Sequence, residues 1–112
     1  MTHEVAYESL PPERRRALHA RVLDIMEGLD ADRLSEYIDR LAYHAWRGQV
    51  WAKGLTYLRQ AGIRAFARSA NREAAVYFDQ ALTAIQHLPE SPELREQAID
   101  LRFDLRRSSS AS

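Results

Sequence analysis

An all-α fold of about five antiparallel helices is what this sequence predicts, and three observations carry the prediction. Apolar residues recur in five segments with steps of +4, +3 and +4, which trace one face of a helix. No segment alternates apolar and polar residues with period two, so no sheet is expected. The links between segments are short, about two to five residues, which makes consecutive helices antiparallel neighbours. Five such helices can close into a bundle or stack as an open array.

The first predicted helix runs from about Pro12 to Glu27, with Leu18, Val22 and Ile25 on its stripe. Pro12 suits a first-turn position, and Gly28 supplies a C-terminal stop. The second runs from about Asp32 to Arg47 with Leu34, Ile38, Leu41 and Ala45, and Gly48 ends it. The third, from about Val50 to Arg68, places Trp51, Leu55, Leu58, Gly62 and Ala65 on one face. The fourth starts near Asn71, read as its N-cap, carries Ala74, Phe78, Ala81 and Ile85, and stops before Pro89. The fifth follows Ser91 as N-cap and Pro92 as first helical residue, with Leu94, Ala98, Leu101 and Leu105 on its stripe.

The stretch Ala61 to Ala81, AGIRAFARSANREAAVYFDQA, adds a second pattern. Gly62 on one helix faces a small–aromatic–small triplet, Ala74, Phe78 and Ala81, on the next, with Leu58 beside them. Gly or Ala at a crossing lets two backbones approach, and the aromatic fills the groove that opens alongside. This resembles the tetratricopeptide repeat (TPR), a helix–turn–helix unit of about 34 residues. With residue 55 as repeat position one, Gly62 takes the small position of the first helix and the triplet that of the second. The phase stays open, because the third helix also reads as the second helix of a unit beginning near Leu34. Gly54 stands where a TPR second helix usually has Ala, and a close contact is the expected reason for a helix-interior glycine.

The resemblance extends further. THEVAYESL followed by PERRRALHARV is similar to a junction in large bacterial signalling proteins that join a class III nucleotide cyclase, a STAND-type AAA ATPase and TPRs. RLAYHAWRGQVWAKGLTYLRQAG, ARSANREAAVYFDQALTAIQHLPES and EQAIDLRFDLR resemble the helices that follow there. The match covers Thr2 to Arg107. It implies a remnant of an ATPase-module segment at 1–10 and a TPR-like helical domain, an α-α superhelix, at 11–107. The serine-rich 108–112 reads as a disordered tail. It further implies a fragment of a longer array, acting in the cytoplasm as a non-catalytic interaction or regulatory scaffold for a protein partner or neighbouring domains. The alternatives are a stand-alone helical dimerisation module and a nucleic-acid- or nucleotide-contacting regulator. No phosphate loop with Lys-Ser/Thr and no cyclase domain is present, so nothing catalytic is carried over.

Composition narrows the function classes. Formal net charge is zero, which argues against a dedicated nucleic-acid binder. The absence of cysteine excludes disulfides, thiolate metal sites and cysteine nucleophiles. No apolar run approaches the ~20 residues that span a bilayer, and no export signal is read. No cofactor is expected.

The candidate sites are few. His3-Glu4 begins a zinc-protease motif, but Tyr7 stands where the second His belongs. His19, His44 and His87 are read as surface or boundary residues. Arg14, Arg15 and Arg16 form a basic cluster able to touch phosphate, read first as a solvated face without interleaved aromatics. Trp46 and Trp51 flank the Gly48 turn and are read first as packing between the second and third helices, with Trp46 the better candidate for a contact surface. Asp24, Glu27, Asp30 and Asp32 are assigned to capping and solubility rather than acid–base work. The fifth helix, with Ile99 and Phe103 flanking its stripe, is the candidate for self-association.

Overall fold

The computed structural model describes residues 10–29 and 31–111, and five helices account for most of them. They are α1 (Pro12–Glu27), α2 (Ile38–Arg47), α3 (Trp51–Ala67), α4 (Asn71–Gln86) and α5 (Pro92–Ala111), with a 3₁₀ segment, Ala31–Tyr37, leading into α2. Among the described residues there is no strand. Met1–Ser9, which hold most of the expected ATPase-module remnant, His3 and Tyr7, lie outside them.

Packing follows chain order. The closest association is α3 with α4, then α4 with α5, α2 with α3 and α1 with α2, while other helix pairs touch only marginally. The core is one cluster running through all five helices, from Leu23 through Leu41, Leu58 and Phe78 to Leu101. Half of its members are alanines, among them Ala42, Ala45, Ala61, Ala65, Ala74, Ala81 and Ala84, so neighbouring backbones approach closely. The radius of gyration is 15.2 Å, against ~13 Å for a compact domain of this length.

Two turns share one geometry. After α2, Gln49 is left-handed (φ 55°), its amide donates to the Trp46 carbonyl and the Val50 amide to the Ala45 carbonyl. After α3, 20 residues on, Ser69 is left-handed (φ 66°), donating to Phe66, while Ala70 donates to Ala65. Both are Schellman endings, which return the last carbonyls to hydrogen-bonding partners. Gly48, read from sequence as the terminating glycine, has φ −84° and is needed for a different reason. A Cβ on it would lie 2.8 Å from the Ala20 amide nitrogen and 3.1 Å from the Ala20 Cα, so the turn rests on the α1 backbone.

Several expectations change. The helix predicted from Asp32 is α-helical only from Ile38. Before it the chain is tighter, with Arg33 and Glu36 paired at 3.1 Å across one turn. Asn71 is the first residue of α4, not its cap; Ala70 precedes it and no side chain caps that end. Ser91 does cap α5, its hydroxyl accepting the Leu94 amide at 3.1 Å. The buried face of α1 is His19 and Leu23, while Leu18 and Ile25 of the predicted stripe are exposed. The serine tail is helical through Ala111 rather than irregular. Ser108 follows Leu105 by three residues on the inner stripe and is fully buried, and its hydroxyl donates to the Asp104 carbonyl at 2.9 Å.

Gly54 also departs from expectation. A Cβ there would meet the Ala45 Cβ at 3.6 Å, an ordinary van der Waals distance, so no close contact demands glycine. Gly54→Ala is therefore expected to stabilise the fold by about 1 kcal/mol through helix propensity and reduced unfolded-state entropy. A urea titration showing an unchanged or lower midpoint would contradict this.

Candidate functional site

The residues expected at the helix crossing all lie in the interior. Leu58, Ala74, Phe78 and Ala81 are buried, as is Gly62. Gly62 and Phe78 are in direct opposition: a Cβ on Gly62 would fall 2.6–2.9 Å from three atoms of the Phe78 ring. The ring thus sits where a side chain on α3 would be. These residues build the stack and are closed to any partner.

The accessible site lies beside them, between α2 and α4. A groove of about 400 Å³ is lined by Tyr43 and Trp46 from α2 and by Arg72, Glu73, Val76, Tyr77 and Gln80 from α4. Tyr43 and Val76 are 51% and 56% exposed and face the same groove from two helices. Burial, followed by the nearby carboxylates of Asp39 and Glu73, pushes the Tyr77 phenol upward. The groove offers aromatic faces, a hydroxyl, an amide, a guanidinium and a carboxylate, which suits an amphipathic segment.

Trp46 joins this groove to a second concavity. Its ring meets Trp51 edge-to-face at 5.8 Å, and Trp51 stacks on His87 at 4.0 Å, tying the start of α3 to the end of α4. On the other side of Trp46, Arg15, Arg16, His19 and Arg47 line a basic pocket with the two indoles. Sequence reading denied the arginine cluster aromatic neighbours, and folding supplies them from the α2–α3 turn. Arg14 is exposed and does not line this pocket.

Two polar clusters tie α1 down, and neither was legible in the sequence. His19, expected at a surface or boundary, is only 6% exposed; its Nδ1 lies 2.9 Å from the Nδ1 of His44. One ring must donate and the other accept, so the two imidazoles cannot both be protonated in this geometry. Burial depresses the basicity of His19, with His44 and Arg47 adding to it, and burial depresses that of His44. At the far end of α1, Glu27 accepts hydrogen bonds from Tyr57 and from Lys53, the latter at 2.8 Å, and Lys53 also reaches Asp24 at 3.5 Å. Burial raises the Glu27 carboxyl, but these bonds outweigh it and hold the group below its usual value. Burial, then the bond to Glu27, pushes the Tyr57 phenol up to about 12.

The histidine pair gives a pH prediction. Both groups are lowered in the folded state, so the unfolded chain binds protons first and stability falls as pH drops below about 6.5. Melting temperatures should therefore decline between about pH 7 and pH 5, and both imidazoles should titrate below 6.5 by NMR. A melting temperature flat across that range, with ordinary histidine titrations, would exclude the paired geometry.

Among the described residues no group of three or more histidines and carboxylates is placed to hold a metal ion. No helix among them is long and apolar enough to cross a membrane. No family model, curated protein or solved structure matches the chain.

Proposed function

We propose that this chain is a non-catalytic, TPR-like interaction segment that receives a protein partner, or a neighbouring domain of a larger cyclase/ATPase-type signalling protein, in the groove between α2 and α4. The reading places it in the cytoplasm. The observation that carries it is the groove itself: exposed Tyr43 and Val76 beside half-buried Trp46 and Tyr77, on two helices that also supply the core. Packing of helices in chain order also supports the reading, since such stacks leave a side open to partners. One feature departs from the TPR: the two equivalent turns lie 20 residues apart, and two helices at that spacing take about 40 residues where that repeat takes 34.

The test is selection of peptides against the folded chain from a displayed library, followed by binding to Tyr43→Ala and Val76→Glu variants. Val76 is exposed, so its variant should melt within a few degrees of the parent. The Tyr43 ring also packs edge-to-face on His19 and His44, so binding to Tyr43→Ala is compared at a temperature where its helical content matches the parent's. Selected peptides should lose at least about tenfold in affinity on either variant. Failure to select any binder, or binders indifferent to both substitutions, would sink the proposal.

The basic pocket favours a second reading, contact with a phosphate-bearing ligand through Arg15, Arg16 and Arg47 with Trp46 and Trp51 alongside. Its signature is binding that weakens steeply with salt and is lost in Arg16→Glu. A nucleotide or DNA titration at low salt with no change in tryptophan fluorescence and no measurable affinity would remove it.

A further inference from the structure

The outer face of α5 carries two exposed large apolar side chains with an acid on one side and a base on the other. The stripe expected to drive self-association is largely consumed by the core: Ala98 and Leu101 are buried, and Leu94 and Leu105 half-buried. On the opposite side run Pro92, Glu96, Ile99, Phe103, Arg106 and Ser110, with steps of 4, 3, 4, 3 and 4. That is the spacing of a coiled-coil seam. Its two central members, Ile99 and Phe103, are 51% and 59% exposed. Arg106 leans over the Phe103 ring, its guanidinium carbon 5.9 Å from the centroid. Neither Glu96 nor Arg106 has an ion-pair partner among the described residues.

The seam is self-complementary in one orientation only. About a two-fold axis passing level with Leu101, an antiparallel copy sets Ile99 against the partner's Phe103 and Phe103 against the partner's Ile99. The same operation sets Glu96 against the partner's Arg106, and Arg106 against the partner's Glu96. A parallel copy would instead put Glu96 on the partner's Glu96 and Arg106 on the partner's Arg106, like charges at both ends. The geometry points to α5 as an antiparallel homodimerisation helix, whose two apolar layers are bracketed by two symmetry-related Glu96–Arg106 pairs. An isologous contact of this kind closes at two copies and leaves no open surface to propagate.

The contact is small. Two apolar side chains from each copy and two rim ion pairs lie below a standard interface, so a weak dimer, with a dissociation constant on the order of 100 μM, is expected. This inference deepens the dimerisation reading of the fifth helix and is separate from the groove. Tyr43→Ala and Val76→Glu should leave it unchanged, so the two proposals fail independently.

The experiment is sedimentation equilibrium of the whole chain from about 10 μM to about 1 mM, bracketing that constant. Glu96→Arg and Arg106→Glu should each weaken dimerisation at least about tenfold, because each replaces both ion pairs with like charges. Both residues are exposed, so the melting temperature of the monomer should hold, which separates the effect from unfolding. Mixing the two variants should restore dimers of mixed composition, and Glu96→Arg/Arg106→Glu in one chain should restore self-association. Ile99→Asp should abolish it in every background. A chain that stays monomeric at about 1 mM would overturn the proposal. So would a dimer indifferent to both charge reversals, or one that neither mixing nor the double variant restores.

Discussion

Phe78→Ala is expected to lower the stability of this fold by about 3–5 kcal/mol, the usual range for removing a buried aromatic. Phe78 is 2% exposed and occupies the gap left by the missing side chain of Gly62. The change empties the centre of the α3–α4 crossing, where the structure packs most extensively. For a domain whose net stability is about 5–15 kcal/mol, the loss is a large fraction of the total. The complementary change tests the same contact from the other side. Gly62→Ala puts a methyl group within 2.6–2.9 Å of the ring and forces it aside, at a cost of about 1–3 kcal/mol. Combined with Phe78→Leu, Gly62→Ala should cost less than the two changes summed, because the smaller side chain vacates the space that the methyl group needs. Denaturant titrations of the four proteins give the coupling energy. A coupling near zero would mean that Gly62 does not seat Phe78.

This crossing is also where sequence reading came closest to the structure. A glycine opposite a small–aromatic–small triplet leaves few arrangements, because only a ring aimed at the glycine fills the space between the helices. Helices α3 to α5 were legible for a related reason: the apolar stripe read along each is the face that becomes buried or half-buried. Helix α1 was not. Its inner face carries His19, a residue no hydrophobic pattern counts, and its exposed Leu18 and Ile25 mimic a stripe rotated by roughly one residue. The histidine pair joins positions 25 apart and depends on how the Gly48 turn seats against Ala20, a tertiary fact with no local signal. The groove was half legible. Trp46 stood out beside the turn, but Val76 and Tyr77 lie off the core stripe of α4 and looked like ordinary surface. The tail misled because three consecutive serines read as low complexity, although Ser108 continues the stripe at +3 and is buried.

Leu101→Ala is expected to cost about 2–5 kcal/mol and, more tellingly, to release α5 alone. Leu101 is fully buried and is the α5 member of the core cluster with no exposed surface. α5 rests chiefly on α4. From α3 it receives only side-chain links: Arg59 Nη1 donates to Gln97 Oε1 at 3.4 Å and lies 3.9 Å, through Nη2, from Asp100, while Arg107 stands 5.2 Å over the Phe66 ring. The Arg59 Nε is buried without a partner, so this polar attachment is an incomplete one. In a stack held by nearest-neighbour interfaces, weakening the last interface lets the last helix open while the others persist. Amide hydrogen exchange on Leu101→Ala should therefore show α5 protection collapsing while α3 and α4 keep theirs, and thermal melting should broaden or split. A closed bundle would respond otherwise: protection would fall in all five helices together, with a single sharp transition at lower temperature. That outcome would contradict the chain-order packing from which both the open groove and the free face of α5 follow.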